Sequence, residues 1–223
     1  MGTIFNLPVA EIKHKDTLFE DHFDTNIAGW EIIEDEDERT FIGDGHYFME
    51  NRSQSRWMFF HKSLPKGLPR NYVINTEIEL LDHEAYGQFG LVWGFTKPHH
   101  ILNRFVVSAE SERFTVSRFE KDHQRIFHRF SGLREHQDGP NRKFFLSIML
   151  LDDYFYFFLQ EYSPPVYICH RSQLASEGDR FGFYVEPGII IRADYIKVQR
   201  IITNPDFDGR AWMPLGSEMI NGR

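Results

Sequence analysis

A period-two alternation of apolar and polar residues runs through most of this chain and restricts it to a fold built from β-strands. Five residues of the segment 71–81 would share one face of an extended strand: Tyr72, Ile74, Thr76, Ile78 and Leu80. Turn signals recur about every 8–12 residues, whereas helical periodicity is nearly absent outside a single turn at 172–175. The pattern predicts an all-β, antiparallel, two-sheet β-sandwich of the jelly-roll type.

Two tight hairpins are expected from short turn signals between alternating segments. The Gly-Asp-Gly sequence at 43–45 supplies the positive φ angles that a two-residue turn requires. Asp152 and Asp153 separate the segments 143–151 and 154–161 in the same way. Each pair of flanking segments should therefore form adjacent antiparallel strands.

The composition suits a sandwich with an aromatic core. Aromatic residues make up 16% of the 223 residues and include 22 Phe, and such side chains fit a pleated, half-buried surface. The formal net charge is −8 and no Lys or Arg run is present, so neither nucleic acid nor a membrane surface is an expected partner. The single cysteine, Cys169, rules out an internal disulfide and is interpreted as a core thiol.

The chain reads as one domain with two terminal extensions, because no linker rich in Pro, Gly or Ser divides it. We expect an N-terminal arm at 1–16, the sandwich at 17–202 and a C-terminal tail at 203–223. The tail carries Trp212 among other apolar residues, so it is a candidate for contacts with its own domain, a second copy or another protein. The sequence shows no secretory leader and no apolar stretch of roughly 20 residues, which favours a cytoplasmic location.

The first and last strands of the sandwich should meet. The segment 19–30 reads as a strand that ends in a turn and a Trp, and 192–198 reads as a closing strand with one acid among apolar residues. If these strands pair, the carboxylates of Glu20, Asp24 and Asp194 could converge on a calcium ion, which takes about 6–8 oxygen ligands. The alternative is that Asp24 caps a turn and the other two acids are solvated.

A ligand-binding aromatic face is the second candidate site. Its proposed members are Trp57, Tyr86, Phe89 and Trp93. Strand parity places Phe89, Trp93 and Phe95 on one side of the segment 88–95, opposite the glycines. The functional interpretation is a groove on which sugar rings stack. The alternative, favoured for both tryptophans, is packing in the core between the sheets.

Several short segments, taken in order along residues 17–200, resemble one superfamily. They include Phe-Glu-Asp-His-Phe at 19–23, Gly-Trp at 29–30, Phe-Gly-Leu-Val-Trp-Gly at 89–94, and the segments 45–49, 144–160, 181–183 and 194–198. The chain resembles the concanavalin A-like lectin/glucanase superfamily in its bacterial laminin-G-like form, which has a related branch of 3-keto-disaccharide hydrolases. The resemblance implies two antiparallel sheets, one of them concave. It also implies that glycan binding is common, catalysis occasional and a structural calcium frequent.

The resemblance implies a specific sequence pattern for catalytic acids. Glucanases of the superfamily carry their carboxylates on one strand as Glu-x-Asp-x-x-Glu. Glu77, Glu79 and Asp82 have these offsets, but their types are in a different order and parity puts Glu77 and Glu79 opposite the apolar face. We interpret them as solvent-facing, and the acidic run at 34–38 likewise. No zinc-binding, P-loop or nucleophile-elbow motif occurs.

Together these features favour a non-catalytic binding module whose ligand is a carbohydrate. A protein-interaction or assembly domain without sugar binding is the alternative, and a glycoside hydrolase of the same superfamily is the third hypothesis. No catalytic residue is assigned from the sequence, and calcium is the one cofactor considered.

Overall fold

The computed structural model describes residues 12–83, 87–96, 101–110, 113–120, 123–131, 142–161, 163–174 and 178–203. These residues form fifteen strands: β1 (Ile12–Asp21), β2 (Ile33–Glu34), β3 (Glu38–Gly43), β4 (His46–Asn51), β5 (Met58–Ser63), β6 (Tyr72–His83), β7 (Gln88–Thr96), β8 (Ile101–Ser108), β9 (Arg113–Glu120), β10 (His123–Ser131), β11 (Arg142–Leu151), β12 (Tyr154–Phe158), β13 (Tyr167–His170), β14 (Arg180–Val185) and β15 (Ile189–Thr203). A 3₁₀ turn at Arg171–Gln173 replaces the turn expected at 172–175. In these ranges, no helix has the length and apolar character that crossing a membrane requires.

The strands form two antiparallel sheets, which confirms the predicted jelly-roll β-sandwich. The nine-stranded sheet has the order β13-β12-β11-β6-β15-β4-β3-β2, and β1 also pairs with β15. The six-stranded sheet has the order β10-β9-β8-β7-β14-β5. Alternate residues of both sheets point inward and bury one shared hydrophobic core.

The first and last strands meet, and β15 organises the nine-stranded sheet. One of its edges pairs with β6, while the other pairs with β4 through Ile189–Ala193 and with β1 through Ile196–Thr203. Strand β1 begins at Ile12 rather than at residue 17, so the last residues of the expected N-terminal arm belong to the sheet. The predicted tail from 204 onward lies outside the described residues.

Both predicted hairpins form. Asp44 (φ 50°) and Gly45 (φ 72°) make the two-residue turn that joins β3 to β4. Asp152 (φ 53°) and Asp153 join β11 to β12. Aspartate adopts this left-handed conformation more readily than most side chains, which explains why the turns tolerate it.

Aromatic rings pack the core beside the first strand. Phe23, Trp30, Tyr47 and Phe183 contact one another with ring centroids 5.2–6.3 Å apart. The Trp30 indole Nε1 donates a hydrogen bond of 2.8 Å to Asp21 Oδ2. This bond satisfies the polar atom of a buried ring and fixes the turn after β1 against the core.

Candidate functional site

The outer face of the six-stranded sheet carries rings and cations on the side away from the core. Met58, Phe60 and Phe183 point into the core, so their neighbours along each strand point outward. We call this surface the aromatic face and define it by eight residues: Trp57, Phe59, His61, Phe95, Arg104, Phe119, Arg180 and Tyr184.

Trp57 lies across the aromatic face. Its ring centroid is 5.7 Å from those of Phe59 and Tyr184 and 5.8 Å from that of Phe119. Phe119 is on β9, and three strands separate β9 from β5 in the sheet. Trp57 therefore covers the middle of the face, and Tyr184 beneath it is only 1% exposed, while 43% of Trp57 itself remains accessible.

Arg104 is the buried cation of this layer. It is 2% exposed, and its guanidinium carbon lies 4.3 Å from the Phe119 ring centroid and 4.4 Å from that of Tyr184. Its Nε donates to Ser117 Oγ at 3.2 Å, and Nη1 lies 3.5 Å from Glu186 Oε1. Burial lowers the pKa of Arg104, but an arginine retains its charge even so.

Glu186 follows β14 directly and balances the charge of Arg104. The Tyr184 hydroxyl donates to Glu186 Oε1 at 3.0 Å, and the backbone N–H of Gln88 donates to Oε2 at 2.8 Å. Burial raises the pKa of Tyr184, which keeps the phenol protonated as a donor. Both oxygens of Glu186 are therefore engaged in holding the layer together.

The segment that leads into Trp57 is fixed by its own hydrogen bonds. Asn51 Nδ2 donates to the Arg56 carbonyl at 2.8 Å, and Ser53 Oγ donates to the same carbonyl at 2.7 Å. The Arg56 backbone N–H donates to Ser53 Oγ at 3.0 Å, and the Arg56 side chain pairs with Asp37. Trp57 thus follows a turn whose conformation is fixed by hydrogen bonds.

Arg180 and His61 form the other end of the aromatic face. Arg180 Nη1 lies 3.0 Å from His61 Nε2, and its guanidinium carbon lies 5.1 Å from the Phe95 ring centroid. Burial, followed by the charge of Arg180, lowers the pKa of His61. The imidazole is therefore neutral near pH 7, with Nε2 as the acceptor of the Arg180 N–H.

Two of the four predicted aromatic ligands are in the core, and the prediction was wrong for them. Trp93 and Phe89 are fully buried; Trp93 packs 5.9 Å from Phe155 and Phe89 packs 5.4 Å from Phe144. Trp57 is on the exposed face, and Tyr86 lies outside the described residues. The alternative interpretation, core packing, therefore holds for Trp93 and not for Trp57.

Phe95 lies on the opposite side of β7 from its predicted neighbours. The pairing of β7 with β8 shifts register between Trp93 and Thr96, where Gly94 has φ +67°. This irregularity rotates the strand, so Phe95 leaves the core side and contacts Phe59 at 5.5 Å. Strict alternation from Phe89 could not predict it.

The predicted calcium ligands are not brought together. Glu20 pairs with Lys197 Nζ at 3.0 Å, Asp194 pairs with Lys143 Nζ at 2.9 Å, and Asp24 lies beside Gly45. Among the described residues, no three His, Cys, Asp or Glu side chains are grouped so that they could hold a metal ion. Lysines occupy the positions at Glu20 and Asp194 that a cation would need.

The remaining sequence interpretations can be placed as well. Glu77 contacts Lys143 at 2.7 Å on the outer side of the nine-stranded sheet, opposite buried Ile78. Glu79 contacts Arg192 at 2.7 Å on the same side, but it is buried, so the interpretation of Glu79 as solvent-facing was wrong. Cys169 is buried in the core, and burial raises the pKa of its thiol to about 12.

Sequence reasoning missed most of the aromatic face. Arg104, Phe119 and Tyr184 belong to none of the sites that the sequence predicts, although parity in 180–186 puts Arg180, Tyr184 and Glu186 on one side. That alternation of charged and aromatic residues was the available signal. The contact of Trp57 with Phe119 had no local signal, because it joins strands distant in sequence.

The two antiparallel sheets and their order define a jelly-roll β-sandwich. No protein-family model matches the sequence, and no curated protein matches it significantly.

Solved structures do share the fold. The chain is similar to an endo-β-1,3-glucanase from Pyrococcus furiosus (TM-score 0.60, 12% identity, 87% of this chain and 98% of that one). It is similar to a protein of unknown function with a galectin-like fold from Bacillus subtilis (TM-score 0.61, 10% identity, 86% and 100%). It is also similar to the CBM2 module of the evolved Dit of Lactobacillus casei BL23 phage J-1 (TM-score 0.56, 9% identity, 85% and 97%). At these identities the likeness concerns the fold alone.

Proposed function

We propose that the protein is a non-catalytic carbohydrate-binding module and that the aromatic face is its binding surface. The observation that carries the proposal is Trp57, which is 43% exposed while it rests on the buried Tyr184 ring, and this ring in turn contacts the buried Arg104. A sugar ring can stack its C–H surface on such an indole. Ligand sites are commonly lined by aromatic side chains with a few well-placed polar groups, which this face has.

The rigidity of Trp57 supports the same function. Its ring is backed by Tyr184 and Phe119, and the turn at 51–56 that precedes it is held by hydrogen bonds. A platform that is already ordered loses little conformational entropy when a ligand binds. More of the stacking energy is then available as affinity.

Binding is favoured over hydrolysis by the carboxylates of this face. A glycosidase needs two of them, about 5–5.5 Å apart for retention or about 6.5–9.5 Å apart for inversion. Along the described strands, Glu186 lies at one end of the aromatic face, and its two oxygens accept hydrogen bonds from Tyr184 and Gln88. Asp179 lies beside Arg180 at the other end, and the length of β14 separates it from Glu186 by about 23 Å, too far for a catalytic pair. Similar structures include both a glucanase and a carbohydrate-binding module, and our proposal follows the second.

The test is a glycan array followed by titration calorimetry of the oligosaccharides that bind. We expect Trp57→Ala to weaken binding by about tenfold or more, because exposed tryptophans at binding surfaces typically contribute most of the affinity. Trp57→Phe should retain part of it, since a smaller ring remains.

Ile32→Ala is the matched control, because Ile32 is also exposed (52%) but is not part of the aromatic face. Its affinity should equal that of the unmodified protein. The proposal is wrong if no glycan binds, or if Trp57→Ala binds a glycan as tightly as the control does.

A further inference from the structure

Among the described residues, the charge at the Arg180 end of the aromatic face has one distant ion-pair partner. Arg180 Nη1 is bonded to the neutral His61, and Oδ1 of Asp179 lies 3.9 Å from Nε. Asp179 is about half-exposed, so water screens this contact. Lys62 and Glu31 also act on His61, with opposite signs. The guanidinium retains N–H donors directed away from His61.

The two arginines of the face differ in this respect. Arg104 is 2% exposed and has Glu186 and Ser117 as partners, so it serves the packed layer. The Arg180 side chain is 19% exposed and lies over the Phe95 ring, which holds the guanidinium plane while leaving its edge accessible. The eight residues of the aromatic face include two arginines, and the carboxylates beside them are Glu186, which pairs with Arg104, and the half-exposed Asp179.

We propose that the ligand of the aromatic face is an acidic oligosaccharide and that Arg180 binds its anionic group. This inference rests on the proposed carbohydrate-binding function. A carboxylate or sulfate oxygen pair matches the planar fork of a guanidinium, which can donate two parallel hydrogen bonds. His61 is the positioning residue, because its Nε2 orients Nη1 of Arg180.

The spacing of the face sets a minimum length for the ligand. The Phe59 ring lies between Trp57 and His61, with its centroid 5.7 Å from the Trp57 ring and 5.2 Å from the His61 ring, so a ligand that reaches both must cross a full aromatic ring. One sugar ring cannot cover that distance. The ligand therefore stacks one unit on Trp57 and presents the acidic group of a later unit to Arg180.

The experiment compares oligosaccharides that differ only in charge. Oligomers of galacturonate, glucuronate and mannuronate are each titrated beside their carboxyl-reduced forms, and sulfated galactan oligomers beside their desulfated forms. We expect at least one acidic oligomer to bind about tenfold or more tightly than its neutral counterpart, and its affinity to fall as salt rises. If the uronate oligomers show the tighter binding, the anionic group is a carboxylate; if the sulfated oligomers show it, the group is a sulfate.

Substitutions of Arg180 and His61 test where the acidic group binds. Arg180→Gln should weaken binding of the acidic oligomer by about tenfold, with a smaller effect on its neutral form, and Arg180→Lys should restore only part of the loss because it lacks the fork. Arg39→Gln is the control, since Arg39 also lies over a ring, that of Phe41 on the other sheet. His61→Gln should weaken acidic binding less than Arg180→Gln.

The possible results distinguish failure of the acidic-ligand proposal from failure of the carbohydrate-binding proposal. Equal affinity for acidic and neutral oligomers, with both lost in Trp57→Ala, would leave the carbohydrate-binding function intact and overturn the acidic ligand. Acidic binding that is unchanged in Arg180→Gln would overturn the role of Arg180. An absence of binding in every arm would overturn both proposals.

Discussion

On the outer face of the nine-stranded sheet, charged side chains from four strands pair with one another, whereas the outer face of the six-stranded sheet stacks rings on a buried arginine. In the first region, Lys143 of β11 contacts Glu77 of β6 at 2.7 Å and Asp194 of β15 at 2.9 Å. Asp194 also contacts His46 of β4 at 3.1 Å. In the second region, Arg104 contacts two rings and one carboxylate.

The difference lies in exposure rather than in the number of charges. The Lys143 side chain is 50% exposed and that of Arg104 is 2% exposed. Among the charged side chains described on the first face, Glu79, at 4%, is buried to a similar degree beneath its partner Arg192. An outer face that contacts only solvent can be covered by exposed ion pairs. The outer face of the six-stranded sheet instead buries Arg104 and Tyr184 and leaves the Trp57 indole partly exposed.

The largest expected effect comes from removing the buried cation. Arg104→Met keeps much of the side-chain volume but leaves Glu186 without its counter-charge and two rings without their cation. We expect a loss of about 2–4 kcal/mol in the free energy of unfolding. The midpoint of urea denaturation measures it, at an unchanged slope. A loss below about 1 kcal/mol would show that Arg104 is not a structural part of the aromatic face.

The fold follows from local patterns, while the candidate site depends on contacts that no local pattern contains. Asp44 and Asp152 marked their turns, and the acidic closing segment around Asp194 indicated that the last strand meets the first. The role of Arg104 was not predictable, because an arginine within a strand is usually solvated. It is buried here against the rings of Phe119 and Tyr184, and both rings pack against Trp57 from the segment that precedes β5.

The backbone conformation of two glycines explains features of β7 that strict alternation does not predict. Gly90 has φ +153°, and a Cβ there would lie 2.4 Å from the Phe105 carbonyl oxygen on the adjacent strand. Gly94 has φ +67° and coincides with the shift that turns Phe95 outward. The sequence marks the glycines, but the direction in which each one redirects the strand depends on its partner strand.

A smaller effect is expected from the matching substitution on the charged face. Lys143→Met removes a cation that contacts Glu77 and Asp194, yet half of the lysine side chain is in water. Exposed ion pairs contribute about 0–1 kcal/mol, so the loss should stay below about 1 kcal/mol. The same urea titration measures it beside Arg104→Met. Equal losses in the two variants would remove the distinction between the faces.

The smallest expected effect is on the pH dependence of stability. The two faces should lose stability in different pH ranges, one set by His61 and the other by Asp194. Burial and the charge of Arg180 hold the pKa of His61 below its ordinary 6.5. The unfolded chain therefore binds more protons than the folded one just below pH 6.5, and stability falls as the pH drops through that range.

Burial tends to raise the pKa of Asp194, but hydrogen bonds with Glu77 and Lys143 outweigh it and hold the pKa below 3.8, so the stability that Asp194 contributes is lost only below pH 3.8. His61→Gln should flatten urea midpoints between pH 6.5 and 5 without removing the slope from His128, whose pKa burial also lowers. Midpoints that fall equally in His61→Gln and the unmodified protein would show that the Arg180 end of the aromatic face does not hold His61 neutral.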